Sequence, residues 1–255
     1  MYNFTAQNYF EKFDKLIAKS SERLGKYLEK PDEENIHDVR TSIRRLDAAW
    51  KILPKKFRNA KESKFIKLRK EFFKINSNIR DFDIIKQKLE LHTSEDVTKI
   101  IKKIDEKKYN RLEIAQKKAR SAYEVKTIKI NQDKIPQQKI EEKFKKITLK
   151  IISRIEDAIP IVSKNVKKIK QLHELRKDCK KLRYLLELTN HDESAVFISK
   201  IREMQDVLGF IRDCDITIDF LKKQEKKYDS VRIIIKSELE KRNQLYEKFV
   251  QMQKF

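Results

Sequence analysis

The sequence predicts an all-α fold, two four-helix bundles related by internal duplication. Three observations predict it. Only two Gly and four Pro occur in 255 residues, which removes the usual material for hairpin turns. Charged residues make up 40% of the chain, and the apolar residues recur at helical spacing, the pattern of long amphipathic helices with solvated outer faces. A His/Arg/Lys pattern occurs once in each half, each time followed by an Arg-Asp-x-Asp segment.

Taken in order, residues 3–29 read as a first helix, with Phe10, Phe13, Ile17, Leu24 and Leu28 on one face. Lys30-Pro31-Asp32 ends it. Asp32 is placed as the N-cap of a second helix, with Glu33 and Glu34 at the positive end of its dipole. That helix carries His37 and ends near Leu53, before Pro54. Residues 55–91 read as a third helix through Phe65, Leu68, Phe72, Ile75, Ile79 and Phe82, with a bend expected at Asn76-Ser77-Asn78. Thr93-Ser94-Glu95-Asp96 reads as the cap of a fourth helix that runs to about Val125. Residues 126–138 have linker composition, which places the boundary between a first half, 1–127, and a second half, 128–255. The second half repeats the plan. One helix runs from about 139 to 162, and the His173 helix ends near Asn190-His191-Asp192. A long helix carries Gly209 and Arg212, and the last runs from about 229 to 249.

The His173 helix sorts cleanly by face. Leu172, Leu175, Cys179, Leu182 and Leu186 form an apolar stripe. His173, Arg176, Lys180, Arg183 and Tyr184 gather on another side, with Lys177 and Lys181 at its edge. In the first half His37, Arg40, Arg44 and Arg45 stand where His173, Arg176, Lys180 and Lys181 stand, over Val39, Ile43, Leu46 and Trp50. Ile79-Arg80-Asp81-Phe82-Asp83-Ile84 then matches Ile211-Arg212-Asp213-Cys214-Asp215-Ile216. The His-to-Arg spacings of the two copies differ by roughly one helical turn, so Arg80 and Arg212 can occupy similar faces. Halves packed with pseudo-twofold symmetry would bring both histidines and these cations to one cleft. Converging cations are costly without a counter-anion, and Arg forks suit phosphate oxygens. Each histidine would stay neutral there and could still donate one hydrogen bond. The Asp residues are expected to act as internal partners that orient Arg side chains.

The ordered pairs of motifs, with Met204-Gln205-Asp206-Val207-Leu208-Gly209-Phe210-Ile211-Arg212-Asp213 among them, resemble the CHAD family, the conserved histidine α-helical domain. The resemblance covers nearly the whole chain. It implies two four-helix bundles around a basic central cavity, and the binding of inorganic polyphosphate. The site would then comprise His37, Arg40, Arg44, Arg45, Arg80, His173, Arg176, Lys177, Lys180, Lys181, Arg183, Tyr184 and Arg212. A role in storing or presenting polyphosphate follows, with polyphosphate-metabolising enzymes as expected partners and a cytoplasmic location at polyphosphate granules. The Glu-x-Glu-x-Lys strand pattern of the triphosphate-tunnel domain, to which such segments are often fused, does not occur here.

The formal net charge of +22 calls for anionic partners without selecting among them. The rival partner is nucleic acid, bound nonspecifically through its backbone. Against it, no reading helix is recognisable and Tyr184 is the lone aromatic on the cationic faces. A metal-dependent phosphohydrolase is the enzymatic rival. The chain has no Gly-rich phosphate loop and no nucleophile paired with a histidine, so no catalytic residues are assigned. Glu34 and His37 have a di-iron-like spacing, but Lys170 stands where the glutamate would repeat, so no metal or other cofactor is expected. His92 and His191 fall outside both repeats, at expected helix ends. Cys179 and Cys214 read as small buried residues. Lys107-Lys108 and Lys222-Lys223 read as solvated faces. No apolar run is long enough to span a bilayer. Gly209, inside a helix, costs about 1 kcal/mol relative to Ala and reads as a close helix–helix approach.

Overall fold

The computed structural model describes residues 4–125, 128–189 and 195–253. Asn3, the expected boundary at 126–127 and the expected helix end at 190–192, His191 included, lie outside the described residues. Within them the chain forms eight α-helices and no strand, which bears out the all-α class. They are α1 (Ala6–Glu29), α2 (Glu33–Ile52), α3 (Ala60–Leu89), α4 (Glu95–Tyr123), α5 (Gln137–Ser163), α6 (Ile169–Leu186), α7 (Ala195–Lys222) and α8 (Val231–Gln251). Among the described residues no helix is long and apolar enough to cross a membrane.

The starts follow from capping. Asp32 accepts from the Asn35 amide at 2.9 Å and begins α2. Ser94 Oγ accepts from the Val97 amide at 3.1 Å and begins α4. Two expectations are corrected. The third helix does not begin at residue 55. Lys55–Phe57 is a 3₁₀ turn after Pro54, and α3 starts behind a reciprocal cap. There Asn59 Oδ1 accepts from the Glu62 amide at 2.8 Å while Glu62 Oε2 accepts from the Asn59 amide at 3.0 Å. The expected bend at Asn76-Ser77-Asn78 is absent, and α3 is continuous. Ser77 Oγ donates to the Phe73 carbonyl one turn back, at 2.9 Å, and so serves the helix instead of breaking it.

The chain divides into two compact units. The first comprises residues 1–80, 111–152 and 181–199, and the second 81–110, 153–180 and 200–255. In the first unit Leu24, Tyr27, Ile36, Val39, Ile43, Phe72 and Ile79 pack on Ala115, Ala119 and Ala122. The alanines of α4 let the larger side chains of α1, α2 and α3 approach closely. Arg69, 1% exposed, lies inside this unit over the Phe65 ring. Its guanidinium donates to Ser21 Oγ at 2.9 Å, to Ser20 Oγ at 3.3 Å and to the Ala122 carbonyl at 3.1 Å near the end of α4. Burial pushes its pKa down to about 9, still above neutrality.

In the second unit Ile85, Leu89, Ile100 and Ile104 pack with Cys214, Ile218, Leu221, Ile234 and Ile235. Cys179 and Cys214 are both free and fully buried, as expected for small apolar side chains. Burial raises their thiols to about 12 and about 11, which keeps them unreactive.

Candidate functional site

In the first unit α2 presents the expected cations. Arg40 and Arg44 lie over one ring, that of Phe73 on α3, at 4.7 and 5.0 Å from its centroid. Arg40 is 8% exposed and donates to Ser77 Oγ at 2.9 Å. Ser77 therefore links α3 to the cationic face of α2. His37 is exposed, with Thr41 Oγ1 at 3.5 Å from its Nε2. Arg80 pairs with Glu33 in the first turn of α2. Lys181, Arg183 and Tyr184 come from the end of α6. Tyr184 stands beside the cations as expected but is buried, 5% exposed, instead of lying on the open face. The stripe of α6 is wider than the spacing predicted, and Tyr184 serves as a platform under Arg45 and Arg183, at 5.8 and 4.9 Å. Glu187 binds the same two arginines, Arg45 Nε at 2.9 Å and Arg183 Nε at 3.5 Å.

In the second unit α6 carries His173, Arg176, Lys177 and Lys180, and α7 carries Arg212. Of these, Arg212, Arg176 and Lys177 act on His173. Burial, then the charges of Arg212, Arg176 and Lys177, pulls its pKa down to about 4. The imidazole is neutral at pH 7, and its Nδ1 is buried with no hydrogen-bond partner among the described residues. Lys177 also pairs with Glu174 one turn back.

The Arg-Asp-x-Asp segments hold the scaffold. Asp215 pairs with Arg242 of α8, whose guanidinium also donates to the Val166 carbonyl at 3.2 Å. Asp83 pairs with Lys108 of α4. Both are internal partners as expected, but they hold a cation from another helix. Lys108, expected on a solvated face, is thereby a structural residue. Asp178, inside the His173 motif, takes Arg154 of α5 with two bonds at 2.9 and 3.0 Å.

Glu33, Phe73, Ser77, Glu187 and Asp178 are the site's unforeseen members. Only Ser77 had a signal: it stands three residues before Arg80, as Gly209 stands three before Arg212. Gly209 itself corrects the expected close approach: a Cβ there would meet nothing within 4 Å. A separate cavity of about 450 Å³ in the first unit is lined by Trp50, Arg58, Ile66, Lys67, Lys70 and Lys74, with Ser63 and Glu71. It includes none of the thirteen expected site residues. Among the described residues no three His, Cys, Asp or Glu side chains gather as a metal ion would need.

The model of the CHAD domain matches residues 13–222. The crystal structure of the CHAD domain from the plant Ricinus communis superposes with a TM-score of 0.66 at 12% identity, over 97% of this chain and 87% of that one. No curated protein sequence matches significantly.

Proposed function

Because the chain belongs to the CHAD-domain family, we propose that it binds inorganic polyphosphate, without catalysis, on the cationic faces of α2 and α6. The observation that carries this reading is the crowding of His173. Burial first, and then the charges of Arg212, Arg176 and Lys177, keep it neutral. Such an arrangement is unfavourable by itself and becomes favourable when an anion enters. Arg40 and Arg44 over one aromatic ring make a second such pair, held in place for bidentate contacts. A linear polyanion can use both groups of cations, whereas a single phosphate uses one.

The thirteen expected residues remain the proposed site, with Tyr184 and Phe73 as platforms beneath the arginines. The biological role is to localise to or store polyphosphate in the cytoplasm, alongside enzymes that make or consume it. Nucleic acid is the competing polyanion, and competition decides. The test is a titration with polyphosphate of defined length at near-physiological salt, with duplex and single-stranded DNA as competitors. Binding should survive excess DNA. It should weaken by at least about a hundredfold when Arg40, Arg44, Arg176 and Lys180 are replaced by Glu, because each lost contact is worth roughly a factor of ten. Equal displacement by DNA would leave a nonspecific polycation. An unchanged affinity in the charge-reversed protein would refute the site.

A further inference from the structure

Among the described residues nothing gives Gly209 a structural reason to be glycine. The chain contains two glycines. The other one has a neighbour: a Cβ on Gly25 would come within 3.3 Å of the Tyr123 ring. At Gly209 a Cβ would meet nothing within 4 Å, and no positive φ demands glycine there. The next residue, Phe210, is 57% exposed, so this stretch of α7 borders open space. A residue that weakens its own helix occupies a position where alanine would fit.

The surroundings supply a reason. Arg212 stands one turn along α7 from Gly209, on the same face. Arg212 is one of the charges that act on His173, and both residues belong to the second unit with Gly209. His173 Nδ1 is buried and unpartnered, and in its Nδ1–H tautomer it would donate to an anion. One turn on the other side, Gln205 is buried, with its Oε1 unpartnered. Its Nε2 donates to Asp206 Oδ1 at 3.4 Å. The bare backbone of Gly209 therefore lies one turn from Arg212, in the unit that also holds the unpartnered Nδ1 of His173.

We propose that the polyphosphate chain lies directly against the α7 backbone at Gly209, at a distance that any side chain would deny it. This deepens the polyphosphate reading and rests on it. Phosphate oxygens can approach a bare Cα–H to about 3.3–3.6 Å. A side chain would hold the polymer off and lengthen its contacts with Arg212 and His173, which are strong only at about 2.7–2.9 Å. Gly209 is a positioning residue: it sets how near the ligand comes to the groups that bind it.

The test compares the parent with Gly209→Ala and Gly209→Leu, by thermal melting without ligand and by titration with polyphosphate of defined length. Gly209→Ala should melt higher by about 2–4 °C, because a helix gains a better former at an uncrowded site. The same variant should bind about tenfold more weakly, a loss of one good charge-assisted contact. Gly209→Leu should bind more weakly still, since the effect grows with the bulk of the side chain. A stabilised Gly209→Ala that binds as tightly as the parent overturns the inference and leaves the polyphosphate reading standing. A destabilised Gly209→Ala also overturns it, by giving the glycine a structural role. A parent that does not bind polyphosphate overturns the reading, and the inference with it.

Discussion

Burial, and then the charges of Arg212, Arg176 and Lys177, keep His173 from taking up a proton until well below neutral pH. Its folded pKa of about 4 lies below the 6.5 of an ordinary histidine. Between these values the unfolded chain binds more protons than the folded one. Stability from this group is therefore fully present above pH 6.5 and is lost as the pH falls towards 4. Partial exposure of the ring limits the effect to roughly 1–2 kcal/mol. Denaturant unfolding at pH 7 and pH 4.5 should show this drop for the parent, and His173→Asn should reduce the difference between the two pH values. An equal drop in both proteins would assign the acid sensitivity to groups other than His173. Glu187 illustrates the opposite device. Its carboxylate already occupies Arg45 and Arg183, so part of the cationic face carries its own counter-ion.

At the scale of the element, helix starts decide the architecture. The reciprocal cap at Asn59 and Glu62 begins α3, the helix that carries Phe73, Ser77 and Arg80. Asn59→Ala removes the acceptor for the Glu62 amide, while the backbone amide at 59 still donates to the Glu62 carboxylate. The expected loss is about 1–2 kcal/mol, measured by urea unfolding. A change below about 0.3 kcal/mol would show that the packing of α3 alone sets its start. The sequence makes most of this scale legible. Eight helices are readable from apolar spacing, and the ends at Asp32, Pro54 and Ser94 from cap chemistry. Asn59-x-x-Glu62 was a capping signal hidden by the apolar run that follows it. The bend at 76–78 was misread because Asn and Ser break helices in water, whereas here Ser77 bonds backward to Phe73 and forward to Arg40. The candidate site was legible as far as its cations. Its aromatic platforms and its acids were not, because each reaches the site from another element: Phe73 from α3 and Glu187 from beyond the end of α6. Tyr184 was found for the wrong reason, as helical spacing separates faces but does not say how wide the buried one is.

At the scale of the molecule, the units do not follow the order of the chain. Helices α3 to α7 each contribute to both, and the changeovers fall inside helices, at 80/81, 110/111, 152/153, 180/181 and 199/200. Neither half of the sequence contains a complete unit. Residues 1–127 hold most of the first core yet lack residues 128–152 and 181–199, and residues 128–255 lack 81–110 from the second. Expressed alone, neither half should give a cooperative melt; mixed, they should recover one. A chain severed once between α4 and α5 would then be a two-body complex, obeying mass action. Its melting temperature should climb with protein concentration, while that of the intact chain stays fixed. The covalent link supplies local concentration, and the interleaved cores supply the attraction.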